Sequence, residues 1–295
     1  MVVTYNPDIA RLRQVVSAVA AQVSQIMIFD NASADNQSIG PELDRFAAAG
    51  AHVERSFVNV GLAAAMNAAA VVAIKDGFEY LLLLDQDSII DSGMVSILKN
   101  ACEELAAHQL IGAVGPQFRD LRTNHVAPFV KIGFPVSKKM RGGPAELIEC
   151  DFLISSGSLI PIGSLKKIGP MDERLFIDNV DLEWCFRARF LGFRLYGVCD
   201  AKMNHTLGDS IIPTYLMRRG IPVHKPIRTY YITRNRLLLY ARKETPKMWI
   251  AQDIPRVVLK LFSTLIFMDQ KKEHFKYMVS GFLDAIRGQT GPRSN

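Results

Sequence analysis

Four consecutive leucines, Leu81 to Leu84, run straight into Asp85-Gln86-Asp87. A short apolar run that ends abruptly in polar residues is the pattern of a strand covered on both faces. Such strands belong to sheets with helices packed above and below. The two carboxylates then lie where the strand emerges. Alternate residues of a strand share a face, so Asp85 and Asp87 point the same way. Two convergent carboxylates suit a hard cation whose remaining ligands are substrate phosphates, with Mg²⁺ or Mn²⁺ as the choices. The plainer alternative is a helix cap before Met94.

The first half repeats this arrangement. Strands are expected at Met1–Thr4, Gln25–Phe29, His52–Ser56, Tyr80–Leu84 and Ile111–Val114. Asp30-Asn31 should stop the second. Pro7 should open a helix at its first position, with Ile9, Leu12, Val15, Val16, Val19 and Val23 on one face. Helices are also expected over Leu62–Lys75, ended by Gly77, and over Gly93–Ala107. Strands alternating with helices give an α/β fold with a mostly parallel sheet. Residues 116–150 read as a loop or small β excursion. Strands at Phe152–Ile160 and Phe193–Cys199 flank a helix over Val180–Phe190, closed by Gly192. After residue 210 the sheet pattern stops. Ile254, Val257, Val258, Leu261, Phe262 and Leu265 fit an amphipathic helix, as do Phe275, Met278, Val279, Phe282, Leu283 and Ile286.

Of the 295 residues 49% are apolar and 22% charged, which excludes a disordered or collagenous chain. The four cysteines are scattered with no CxxC pair, against a zinc ribbon or disulfide framework and in favour of a reducing compartment. Met1 is not followed by a secretory signal pattern. Val257–Met268, interrupted by Lys260, is well short of the ~20 residues a membrane span needs. A cytoplasmic location is expected. Charge is uneven: residues 1–210 hold 19 basic and 24 acidic residues, whereas 211–250 hold nine basic residues against Glu244 alone. The acidic body argues against a nucleic-acid partner. The basic block fits a solvated face, an anionic membrane or a phosphate-bearing substrate.

In open α/β sheets ligands bind beyond the carboxyl ends of strands. Those ends carry Thr4-Tyr5-Asn6, Asp30-Asn31-Ala32-Ser33, Asn59-Val60-Gly61 leading to a helix with Asn67, and Asp85-Gln86-Asp87. Each alone is an ordinary turn or cap; their recurrence at every strand end suits a base and ribose. A second acidic group, Asp178-Asn179-Val180-Asp181-Leu182-Glu183, opens a helix. Either it complements the helix dipole or it holds a general base. One of Asp181 and Glu183 is expected to be structural, pairing with Arg187. There is no GxGxxG after the first strand, no GxxxxGK[ST] and no GxSxG, which disfavours dinucleotide dehydrogenases, P-loop NTPases and α/β hydrolases.

Together these motifs resemble the inverting family-2 glycosyltransferases of GT-A fold over roughly residues 1–245. Within them the chain is most similar to bacterial rhamnosyltransferases of O-antigen and capsule synthesis, through Asp85-Gln86-Asp87-Ser88, Phe176–Arg187, His205 with Gly208, and Tyr230-Tyr231 with Arg234-Asn235. The resemblance implies a catalytic domain over 1–245 and an amphipathic helical segment over 246–295. It implies a Rossmann-like central sheet with helices on both faces. It implies transfer of a sugar, L-rhamnose from dTDP-L-rhamnose, to a lipid-diphosphate-linked saccharide with inversion. The alternatives are transfer of a hexose, galactofuranose or N-acetylhexosamine, or sugar-nucleotide binding without catalysis.

Thr4, Tyr5, Asn6, Asp30, Asn31, Asn59, Gly61, Asn67, Asp85 and Arg234 would bind the nucleotide sugar. Asp87, with Asp85 and His205, would hold the metal, and Ser156, Gly157 and Trp184 would line the acceptor side. Asp181 would be the base, with Asp178 and Glu183 as rivals because Val180 replaces the family's usual acidic predecessor. The C-terminal helices would pack on the catalytic domain, form a homodimer interface or rest on the inner membrane leaflet.

Overall fold

The computed structural model describes residues 1–34, 39–205, 210–214, 217–223, 225–267 and 270–293, with side chains for all of these except 210–214, 217–223, 260, 261 and 263–267. Its first strand, β1 (Val2–Thr4), leads to α1 (Ile9–Ala20). The helix starts two residues after Pro7 because Asp8 caps it, its carboxylate accepting from the Arg11 amide at 2.9 Å. Next come β2 (Met27–Asn31), α2 (Ile39–Ala48), β3 (His52–Ser56) and α3 (Leu62–Lys75). Asp30 and Asn31 do not stop β2. They continue it, in parallel register with Arg55 and Ser56.

The leucine run forms β4 (Tyr80–Leu82) and β5 (Leu84–Asp85), joined through Leu83. Then follow β6 (Ile89–Ile90), α4 (Met94–Ala106), β7 (Ile111–Asp120), β8 (His125–Val126), β9 (Phe129–Lys131), β10 (Lys138–Met140), β11 (Leu147–Cys150), β12 (Leu159–Pro161), α5 (Ile162–Ile168), α6 (Val180–Phe190) and β13 (Arg194–His205). On one side Leu84 donates to the Met1 carbonyl, and β5 pairs in parallel with β1. On the other, Leu83 donates to the Ser158 carbonyl and accepts from Gly157. The order is thus β3-β2-β1-β5 continued through β4 to β12-β7-β13-β11. Parallel pairing covers the β3–β5 side and the β7–β13 pair; β12 and β11 run antiparallel to their neighbours.

Two apolar layers sandwich this sheet. One gathers α3, α5 and α6 residues such as Met66, Leu165 and Phe186 around Phe29, Leu81 and Leu83. The other gathers Leu12, Val16, Leu43, Met94 and Leu98 around Ile28, Leu82 and Leu84. Adjacent leucines of one strand thus feed opposite cores.

Several expectations change. The strand from Ile111 runs on to Asp120 because β13 pairs along it, with Pro116 at the register shift where a missing N–H is tolerated. Of the expected Phe152–Ile160 strand only Leu159 and Ile160 lie in β12, with Phe152 making a lone bridge to Val130; Ser155–Ser158 make a turn, closed by the Ser158 amide on the Ser155 carbonyl at 3.0 Å. Sheet structure does not end at 210: β14 (Ser210–Thr214) and β15 (Met217–Val223) form an antiparallel pair. Gly208 lies outside the described residues, as does the side chain of Lys260.

The chain closes with α7 (Pro226–Tyr240), α8 (Lys247–Phe267) and α9 (Lys271–Ile286). Helix α9 presses on α7 at Gly281, where a Cβ would stand 2.5 Å from the Tyr230 carbonyl. No helix among the described residues is long and apolar enough to cross a membrane.

Candidate active site

The carboxyl ends of β1, β2 and β5 open on the same edge of the sheet, and the polar residues there are already knitted together. Thr4 is buried and donates to Asp30 Oδ1 at 2.8 Å. Asp30 also accepts from the Ser33 amide and hydroxyl, at 3.1 and 2.6 Å. Asn6, at φ 47°, accepts from the Ala34 amide, while its own amide donates to Ser33. The amide and carbonyl of Tyr5 are held by the Gln86 side chain, leaving its ring half exposed at the rim. Asn31 accepts from the Val60 amide and donates to Asn59, which caps the turn by accepting from Gly61. Gly61 is required at φ 88°: a Cβ there would meet the Phe176 carbonyl at 2.6 Å.

Asp85, Asp87 and His205 bring one donor atom each within 4.8 Å of one another. Burial raises the pKa of Asp85, and the charge of Asp87 adds to that rise. Burial alone would lower that of His205, but the hydrogen bond to Asp87 and the charge of Asp85 more than offset it. Behind the cluster Ser156 accepts from the Asp85 amide at 3.0 Å and donates to Ser88 Oγ at 2.6 Å; Ser88 in turn meets His205 Nδ1 at 2.8 Å. Two oxygen donors and an imidazole nitrogen, with negative charge concentrated on them, fit a divalent cation.

Helix α6 begins opposite. Its acids have three fates. Glu183 is buried between Arg187 (2.9 Å) and Arg242 (2.8 Å), so it is structural and not a rival base. Asp178 pairs with Arg228 at 2.5 and 3.2 Å. Asp181 has no ion pair among the described residues; its Oδ1 accepts the Leu182 amide at 2.8 Å in the first turn of α6. Burial, aided by the charges of Asp178 and Asp85, pushes its pKa up to about 6. A half-buried carboxylate poised near neutrality is the usual form of a general base.

Other expected contacts fall elsewhere. Arg234 is fully buried, donating to the carbonyls of Gly291, Arg174 and Leu175 beneath Tyr230 and Tyr231, so no donor pyrophosphate reaches it. Asn67 binds the backbone of Met171 and the Glu173 carboxylate, which fastens α3 to that turn. Trp184 is buried in the core with its indole N–H on the Gly169 carbonyl, so it offers no surface to an acceptor. Ser156 and Gly157 stand behind the Asp85-Asp87-His205 cluster, the first through Ser88 and the second through the Leu83 carbonyl. Sequence reasoning missed Arg228, which was lost within the basic block. It also missed the role of Ser88, although that residue directly follows Asp87.

Comparison with known proteins fits this geometry. The family model described as glycosyl transferase family 2 matches residues 1–169. The dTDP-rhamnosyl transferase RfbF of Shigella flexneri is 29% identical over 302 residues, covering 99% of this chain and 96% of that protein. GalNAc-T7, solved with UDP, GalNAc and Mn²⁺, superposes with a TM-score of 0.61 at 14% identity, over 97% of this chain and 55% of that one. This chain thus spans just over half of GalNAc-T7. S. aureus TarS 1–349 in complex with UDP-GlcNAc gives 0.58 at 14% identity, over 97% and 80%. The family match covers more than half of the sequence and the structural likeness nearly all of it: the chain belongs to glycosyl transferase family 2 and has the GT-A fold.

Proposed function

We propose that the chain transfers L-rhamnose from dTDP-L-rhamnose to a hydroxyl of a lipid-diphosphate-linked saccharide, with inversion, in cell-surface polysaccharide synthesis. The observation that carries this reading is the likeness, over nearly the full length of both chains, to a protein described as a dTDP-rhamnosyl transferase.

The nucleotide lies against Tyr5, Asn6, Asp30, Asn31 and Asn59 at the parallel strand ends, and the fully buried Thr4 braces Asp30 from beneath and does not touch the nucleotide. Asp85, Asp87 and His205 would hold a divalent cation, Mg²⁺ or Mn²⁺, which when bound would offset the charge of the departing diphosphate. Asp181, ionised above about pH 6, accepts the proton of the acceptor hydroxyl as its oxygen bonds to the anomeric carbon. A single displacement with one base inverts that carbon. Arg228 holds Asp178 in an ion pair at 2.5 Å, three residues before the base.

The test is nucleotide release from a panel of donors with purified protein and Mg²⁺. Turnover with dTDP-L-rhamnose at least tenfold above UDP-hexoses, UDP-galactofuranose and UDP-N-acetylhexosamines is expected. A faster UDP-sugar would overturn the donor assignment.

The membrane reading rests on α8 and α9. Ile254, Val258, Leu259, Phe262, Phe275, Val279, Phe282 and Ile286 are exposed, with Arg256, Lys271, Lys272 and Lys276 beside them. An apolar helix face bordered by cations suits an anionic leaflet. Replacing Phe275 and Phe282 by Ser should weaken binding to vesicles containing phosphatidylglycerol, whereas a change of oligomeric state would point to a homodimer.

A further inference from the structure

The segment before α6 is held in a conformation its sequence does not favour. Phe176, Asp178 and Asn179 have φ of 64°, 65° and 64°, the left-handed region, although none is glycine. Such backbone persists only where surrounding structure over-determines it, and it collects at functional sites. Here it sets the direction from which α6 starts, and Asp181 is that helix's second residue.

What over-determines it is unusual in being complete. Every carbonyl from Arg174 to Asp178 accepts a hydrogen bond from outside the segment. The two N–H groups of Asn235 Nδ2 are shared among three of them, Leu175 and Ile177 at 2.8 Å and Asp178 at 2.9 Å. Arg234 adds Leu175 at 3.2 Å and Arg174 at 3.3 Å, and the Gly291 amide reaches Arg174 at 2.7 Å. The Leu62 amide takes Phe176 at 2.7 Å. Asn235 and Arg234 are both 0% exposed, and Arg234 Nε donates to Asn235 Oδ1 at 3.1 Å, which fixes the orientation of the amide. A side-chain amide so placed reaches no substrate. It acts on the loop.

We propose that Asn235 is a positioning residue for Asp181: by gathering the carbonyls of Leu175, Ile177 and Asp178 it holds the left-handed turn that aims α6, and with it the base, at the acceptor hydroxyl. This rests on the reading of Asp181 as the base. Asn235 itself is 54 residues further along the chain, on α7. The reaction centre therefore depends on a helix outside the sheet, and the buried Arg234-Asn235 pair gains a role as a clamp on the loop, away from the donor.

The experiment is a double-mutant cycle between Asn235→Ala and Asp181→Asn on the full chain, with Tm and donor KM recorded for each variant. Asn235→Ala should lower kcat about 10²-fold, change donor KM less than threefold, and add little to Asp181→Asn, because both remove the same proton acceptance. A purely structural residue would lower Tm but leave kcat per folded molecule within about threefold, and its effect would multiply with that of Asp181→Asn; either result overturns the proposal. If Asn235→Ala does not fold, Asn235→Ser, which keeps one donor, carries the same readings. Active Asp181→Asn overturns the base assignment and this inference together; crippled Asp181→Asn with a multiplicative cycle overturns this inference alone.

Discussion

The acidic group after β5 and the acidic group opening α6 are built on opposite plans. After β5 the carboxylates converge: Asp85 and Asp87 share a site with His205. At α6 they disperse, with Glu183 held by two arginines and Asp178 by Arg228, so that of the three only Asp181 has no cation among the described residues. Convergence concentrates negative charge where a cation can sit. Dispersal isolates one carboxylate in a half-buried place and tunes it to accept a proton. The lesson is that the number of acids in a cluster says little; what matters is which of them the arginines have already claimed.

The contrast can be broken by substitution. Asp87→Ala strikes the convergent group and should reduce transfer about 10³-fold or more, with loss of divalent-ion binding by titration calorimetry. Unchanged ion affinity would remove the metal role from this cluster. Asp181→Asn strikes the isolated carboxylate and should lower kcat by about 10²- to 10³-fold with ion and donor affinity retained. If Asp181 is the base as proposed, kcat of the unmodified enzyme should fall tenfold per pH unit below about 6, where its carboxylate is protonated. That acid limb should be missing from the residual activity of the variant.

Glu183→Gln should invert the pattern. Removing one charge from a buried pair costs about 3 kcal/mol, read as a lower urea midpoint, while kcat stays within threefold. The smallest effect separates the two α6 acids most finely. Asp181 has its pKa raised on folding, from 3.8 to about 6, so its ionised form opposes folding above that value and the penalty fades as pH falls toward 4. Asp181→Asn in chelator should therefore stabilise the fold on the order of 1 kcal/mol at pH 8, and by nothing measurable at pH 4.

Much of the convergent half was legible because its signals are local. The leucine run, the strand ends and the Ala-rich α3 each announce themselves within a dozen residues, and Asp85 and Asp87 follow from the strand they terminate. His205 lies 118 residues after Asp87, and only family resemblance joined them. The helix α2 was missed because Gly40-Pro41 at its start reads as a breaker, though proline is tolerated in a first turn. The seven-residue α5 is too short to show a period. Arg234 was misassigned for a different reason. A cation in a basic block near a phosphate substrate has an obvious destination, and nothing local shows that it is buried against the carbonyls of a loop some 60 residues earlier. Sequence reports which groups are charged; the pairing that spends the charge is a property of the packed structure.

Leu83 and Leu84 lie in the middle of the sheet, Leu83 bonded to Gly157 and Ser158 of the turn that leads into β12 and Leu84 to β1 on the other side, with side chains in opposite cores. Their amides belong to the class that exchanges with solvent deuterium only when the whole molecule opens, while helix ends and surface turns exchange through local fraying. The carboxylate at the end of that strand is thus carried by the slowest-breathing part of the protein. Thermal agitation that loosens the periphery leaves the floor of the reaction centre in register, and an isotope-exchange time course would find this strand among the last to label.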